Sequence, residues 1–176
     1  MKYLLLIPCF FLCSFLLYSQ ELSEEETKLY NLIMNYRKGL RLPTIPLSKS
    51  LTFVAQTHVK DLVDNHPVSD KCNLHSWSGE GNWTSCCYTS DHAKASCMWN
   101  KPSELTSYTG FGYEIAYSSS IDATAEAGLK GWKGSPGHNA VIINQGPWGD
   151  QWNAIGIGIL EGYAVVWFGN ELDTEN

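Results

Sequence analysis

The chain is 176 residues long, 44% apolar and 17% charged, with a formal net charge of −6. That is the size of one ordinary domain, expected to bury roughly 68–70% of its unfolded surface, and the low charge with high apolar content excludes a disordered chain. No Lys/Arg cluster is present, so the basic face that nucleic-acid binding by counterion release requires is missing. Aromatic residues reach 12%, seven of them Trp, which suits a core or a recognition surface.

Lys2 precedes an apolar run from Tyr3 to Tyr18 that contains Pro8. A membrane span needs about 20 apolar residues, so the shorter run after a basic start reads as a secretory signal over residues 1–19. The other reading is an uncleaved N-terminal anchor. No later run could span a membrane, and the mature chain, 20–176, is expected to be a single secreted or periplasmic domain. Cys9 and Cys13 leave with the signal; Cys72, Cys86, Cys87 and Cys97 remain. Outside the cytoplasm an even cluster reads as two disulfides. A vicinal Cys86–Cys87 bond is strained, which leaves Cys72–Cys86 with Cys87–Cys97, or Cys72–Cys87 with Cys86–Cys97. A four-thiolate zinc site is the alternative, disfavoured by the absence of a C-x-x-C pair.

Along the mature chain, Ser23 and Glu26 form a capping box, and Leu29, Ile33, Tyr36 and Leu40 repeat at helical spacing until Pro43 and Pro46. Ser50 is expected to cap a second helix whose stripe is Leu51, Val54, Ala55, His58 and Leu62, ending near Asn65. Residues 66–108 lose periodicity, as long functional or cross-linked loops do. Gly112 to Tyr117 reads as a strand. Asp122 is expected to cap a helix through about Lys133, followed by a turn at Ser135-Pro136-Gly137 and a short buried segment from Ala140 to Ile143. Ile155, Ile157 and Ile159 alternate with Gly156 and Gly158, so a strand is expected whose glycine side admits close packing. Glu161-Gly162 turns into a second strand, Tyr163 to Gly169. Helices early and strands late predict an α+β fold with an antiparallel sheet.

Metalloprotease, nucleophile-elbow and phosphate-loop motifs are absent. The candidate chemistry is His75 in Leu74-His75-Ser76-Trp77, Glu114 in Gly112-Tyr113-Glu114-Ile115-Ala116, and His138 in Ser135-Pro136-Gly137-His138-Asn139. Two imidazoles and a carboxylate suit zinc ligation, or acid–base work with an orienting partner. His58 lies on an apolar stripe and reads as a buried, hydrogen-bonded histidine. His66 and His92 read as solvated loop residues, and Trp77, Trp83, Trp99 and Trp148 as cleft rim or loop cover. Asn82-Trp83-Thr84 is a glycosylation sequon, meaningful only in a eukaryotic secretory pathway.

These segments together resemble the CAP superfamily of cysteine-rich secretory proteins, venom antigens and pathogenesis-related proteins. Asn35-Tyr36-Arg37 resembles the pattern of the family's opening helix, and Ala55 to His58 that of its second helix. Leu74-His75-Ser76 matches its H-S element. Gly112-Tyr113-Glu114-Ile115-Ala116 stands where the family has G-E-N-I/L-A, with Tyr113 a departure. Trp132 and Gly137-His138-Asn139-Ala140-Val141-Ile142 resemble its W…G-H signature, in a bacterial spelling.

The resemblance covers nearly all of residues 20–176 as one CAP (SCP-like) domain. It implies a three-layer α-β-α sandwich with a central, mainly antiparallel sheet, long irregular loops and an open cleft carrying two His and two acidic residues. His75, Glu114 and His138 carry over. The fourth position is Ser135, and Glu126 sits at the wrong spacing to replace it. The implied function is a binding module for a divalent metal, zinc among them, or for a lipid or other extracellular ligand, with a lipid, glycan or protein as partner. The alternatives are a metal-dependent hydrolase of peptidase type with Glu114 as ligand or base, and a structural or toxin-like domain. The missing carboxylate favours the binding or the structural reading over the hydrolase.

Overall fold

The structure is a computed structural model that describes residues 21–175; the expected signal, 1–19, lies outside the described residues. Helix α1 spans Glu24–Gly39, with the capping box formed as expected between Ser23 and Glu26. Glu26 does more than cap. One carboxylate oxygen accepts from Ser23 N and from Gln56 Nε2 of the second helix, and the other accepts from Ile159 N of the sheet. Three elements thus share one buried carboxylate. Leu40, expected to extend the apolar stripe, is instead the exposed C-terminal cap. Arg37 is buried at that end. Its guanidinium donates to the carbonyls of Pro43 and Ile142 and to Asn144 Oδ1, and so joins the helix to the segment around residue 142.

Helix α2 spans Lys49–Asn65 and is capped by Ser48, not Ser50. Ser48 Oγ accepts from Leu51 N while Ser50 is engaged elsewhere: Asp173 accepts from both hydroxyls and from Ser50 N. A residue 123 positions from Ser50 in sequence therefore ties both serines at the start of the helix, while Ser48 Oγ keeps a lone pair for Leu51 N. The irregular region 66–108 contains two short helices that periodicity did not reveal, α3 (Ser96–Trp99) and α4 (Lys101–Leu105). Helix α5 (Ala125–Gly134) is capped by Thr124 rather than Asp122. The expected turn at Ser135-Pro136-Gly137 is in fact the start of helix α6, Pro136–Ile142. Pro there occupies the first helical turn, where its fixed φ is preorganised and its missing N–H costs nothing.

Strands β1 (Tyr113–Ser118), β2 (Ala154–Leu160) and β3 (Tyr163–Gly169) form an antiparallel sheet in the order β1-β3-β2. Side-chain alternation sorts the core into two layers. Ile115, Ile155, Ile157, Ala164, Val166 and Phe168 face α1, α5 and α6. Ala116, Ala154, Val165 and Trp167 face α2. The glycine prediction holds: a Cβ at Gly156 would stand 2.0 Å from the Leu51 carbonyl carbon, and one at Gly158 2.4 Å from the Ala55 carbonyl oxygen. Bare glycine lets the α2 backbone lie directly on the sheet. The result is the expected three-layer α-β-α arrangement.

A candidate ligand cleft

The loop region is held against α2 and the sheet by both covalent and polar links. The disulfides are Cys72–Cys87 and Cys86–Cys97, one of the two pairings that the sequence left open. On α2, Asp61 accepts from Ser78 N and Ser78 Oγ. Lys101, fully buried, donates to the Thr84 carbonyl and to Glu104 and lies over the Trp77 ring. These ties set the path of residues 73–78, which carry His75.

Glu114 projects from β1 into the α2 side of the sheet, and its side chain is wholly buried. Both oxygens are used. Oε2 lies 2.5 Å from His58 Nδ1 on α2, and Oε1 lies 2.7 Å from His75 Nδ1. The other nitrogen of His58 is 3.0 Å from the Ser76 carbonyl, which can only accept, so His58 donates there from Nε2 and to Glu114 from Nδ1, which requires hydrogen on both ring nitrogens. Trp77 stacks on the His58 ring at 4.3 Å. Burial pushes the Glu114 carboxyl up, but the charge and hydrogen bonds of His58, followed by those of His75, outweigh it and hold the carboxyl below its ordinary range. As a carboxylate, Glu114 takes an N–H from each ring. His75 then has its proton on Nδ1 and presents Nε2, which makes no hydrogen bond within the protein among the described residues.

His75 Nε2 belongs to a ring that lines a cavity of about 410 Å³. His138 and Ser135 come to the same cavity from the start of α6, and Tyr113, Glu114 and Ile115 from β1. Burial lowers the His138 pKa, and positive charge on His75 lowers it further, so the two imidazoles share one field. Trp99, Tyr113 and Trp148 form the aromatic wall, with ring centroids 5.6 Å and 5.0 Å apart in succession.

The three residues read from sequence as candidates thus meet at one cleft, with Glu114 behind His75. Two further residues belong with them. His58, read as a buried hydrogen-bonded histidine, is that, and its partner is Glu114 itself. His92, read as a solvated loop residue, is exposed but lines the cleft and pairs through Nδ1 with the Tyr88 hydroxyl at 2.9 Å. The loop position of His92 carried no periodic signal that could have placed it. Trp99 and Trp148 are cleft wall, whereas Trp77 is buried beneath His58 and Trp83 packs on Trp77. Glu126 is exposed and paired with Lys28. Among the described residues no group of three or more His, Cys, Asp and Glu side chains is arranged to hold a metal ion.

The sequence profile of the cysteine-rich secretory protein family, CAP, matches residues 30–159. The chain belongs to that family. No curated protein matches the chain. Solved structures similar to it include an outer surface protein of Borrelia burgdorferi, with a TM-score of 0.60 and 19% identity over 86% of this chain and 96% of that one. An extracellular protein of Bacillus anthracis containing an SCP domain aligns with a TM-score of 0.58 and 18% identity, over 84% of this chain and 40% of that one. A cysteine-rich secretory protein of Staphylococcus aureus gives a TM-score of 0.53 at 13% identity, over 84% and 39%. At these identities the likeness is one of fold. No helix among the described residues is long and apolar enough to cross a membrane.

Proposed function

We propose that this CAP domain is a secreted binding module whose cleft holds an extracellular ligand between the two imidazoles and the aromatic wall. The observation that carries this reading is the combination of a 410 Å³ cavity walled by Trp99, Tyr113 and Trp148 with a polar end at His75 and His138. Mostly apolar concavities with a few convergent polar groups are where small ligands bind. Glu114 serves as a positioning residue, since it fixes the tautomer of His75 and the direction of Nε2. The disulfides suit an oxidising compartment, and the family contains extracellular proteins.

A divalent cation such as zinc is a further proposed occupant. Both Glu114 oxygens are taken by imidazole N–H groups, so the residues fit a metal only as two imidazole ligands, His75 and His138, with Glu114 as the carboxylate behind the first. Such a cation would supply charge for an anionic ligand group. The hydrolase alternative draws on one feature, a carboxylate-oriented imidazole with Nε2 toward a cleft, which is how a general base is held.

The test uses the full secreted chain and two probes. The fluorescent amphiphile 8-anilinonaphthalene-1-sulfonate should bind, and Ser135→Trp, which fills the cleft, should abolish its binding. Zinc titrated calorimetrically should bind the parent chain and not His75→Ala or His138→Ala. Amphiphile binding that survives Ser135→Trp would remove the cleft from the reading, and zinc binding untouched by either histidine variant would remove the metal.

A further inference from the structure

Strand β1 is the edge of its sheet, and only β3 pairs with it. Antiparallel residues send N–H and C=O together to alternate sides of the strand, and the bonds around the sheet settle which side each residue uses. In β2, Ile155 bonds outward to Pro46 O and Ser48 N, and Ile159 N bonds outward to Glu26. Gly156 and Gly158 therefore face β3, opposite Trp167 and Val165. Ala164, Val166 and Phe168 of β3 are then left to bond β1, at Tyr117, Ile115 and Tyr113. Gly112, Glu114 and Ala116 must turn their main-chain groups away from the sheet.

Two bonds agree with that parity. Gly112 N–H donates to the Trp99 carbonyl at 2.9 Å, and Trp132 Nε1–H donates to the Ala116 carbonyl at 3.0 Å. Between these two covered points lie the Gly112 carbonyl, the N–H and carbonyl of Glu114, and the Ala116 N–H. Among the described residues, none of the four has a hydrogen-bond partner in the protein. The Glu114 side chain is 0% exposed, yet the residue keeps 7% exposure, so what is accessible at Glu114 is its main chain. The cleft lies at this place. Three consecutive β1 residues line it, with His75 and Tyr88 on the α2 side and His138 and Val141 on the α6 side.

We propose that the cleft binds an extended peptide, which adds to the outer edge of β1 as a short strand and exchanges both main-chain hydrogen bonds with Glu114. This names the ligand class of the cleft and rests on the reading that the cleft is a binding site. Strand addition to an open edge takes its affinity from main-chain bonds and its specificity from alternating side chains. The window from residue 112 to 116 spans about 14 Å at ~3.4 Å per residue, which matches about five peptide residues. The peptide residue opposite Glu114 shares its face and points toward His75, whose free Nε2 accepts a hydrogen bond from a hydroxyl or amide. The residues on either side of it share the face of Tyr113 and Ile115, where Trp148 and Val141 favour apolar groups. No Lys or Arg lines the cleft, and Asp91 and Asp150 stand near His92 and Tyr113 at its rim. A neutral or basic peptide fits that charge, and an acidic one does not.

The probe is a blocked pentapeptide with lysine ends and a valine–threonine–valine centre, titrated against the full secreted chain. It should bind, and N-methylation of the threonine, which removes the donor to the Glu114 carbonyl, should weaken binding at least tenfold. N-methylation of the following valine, whose N–H turns away from β1, should leave binding within about twofold. Hydrogen exchange at the Glu114 amide should slow at least tenfold when the peptide is bound. No binding by the parent peptide, or binding indifferent to the threonine N-methyl group, overturns the proposal. If the amphiphile probe still binds in a manner sensitive to Ser135→Trp while the peptide does not, the cleft stands as a binding site and only its assignment to peptides falls.

Discussion

Helix α2 serves two regions that are held together by opposite means. Toward β2 it meets Gly156 and Gly158 backbone to backbone, with no side chain between. Toward residues 73–87 it reaches out with polar side chains, His58 to the Ser76 carbonyl and Asp61 to Ser78, beside a loop closed by two disulfides. The first region depends on the absence of atoms and tolerates no addition. The second depends on specific partners and fails when one is removed. The scaffold is therefore vulnerable to bulk and the cleft to lost bonds, although one helix supports both.

Substitutions on the two sides should separate these modes. The largest effect is expected from Gly156→Val. Its Cβ would collide with the Leu51 backbone, which cannot move as a flexible side chain would, so a loss exceeding about 4 kcal/mol is expected. Urea unfolding, or failure to recover folded protein, reads this; a loss under 1 kcal/mol would mean that α2 slides freely on the sheet.

Next comes Glu114→Leu, which strands His58 and frees His75. Removing one partner of a buried ionic pair costs about 3–5 kcal/mol, and zinc or amphiphile binding should fall as well because His75 loses its orientation. Replacing Cys72 and Cys87 by Ser opens a loop of 15 residues, worth about 3 kcal/mol on the chain-entropy model. In the folded fraction, amides of β2 and β3 should keep their hydrogen-exchange protection while those of residues 73–88 lose it. Equal loss in both regions would erase the contrast between scaffold and cleft.

Acid should act on the cleft side through Glu114. Its carboxyl is held below the ordinary range, so its contribution is complete above the unfolded-state value of about 4.3 and disappears as pH falls through the lower folded value. Asp173, likewise held low through its bonds to Ser48 and Ser50 against the opposing effect of burial, adds a loss in the same direction at the start of α2. Urea midpoints measured from pH 7 to 3 should be flat to about pH 5 and then fall, less steeply in Glu114→Gln. The smallest effect is expected from His138→Ala. His138 is half-buried and makes no hydrogen bond within the protein among the described residues, so the change in stability should stay under about 1 kcal/mol while zinc binding is lost.

The sequence by itself determined the elements whose signals are local. The capping box at Ser23 and Glu26, the apolar stripe of α2 and the Ile/Gly alternation of β2 each act within a few residues, where backbone geometry and side-chain period are sufficient. It also narrowed the cysteines to two pairings and brought forward His75, Glu114 and His138. Tertiary structure decided what depends on distant partners. Asp173 ties Ser48 and Ser50 together at the start of α2, where Ser48 is the cap. His58 joins Glu114 across 56 positions, so a histidine on a core stripe holds up the cleft. Cys72 chose Cys87 over Cys86 because chain path, not spacing, brings two sulfurs together. Periodicity describes what one segment presents, and only packing decides which segment it will face.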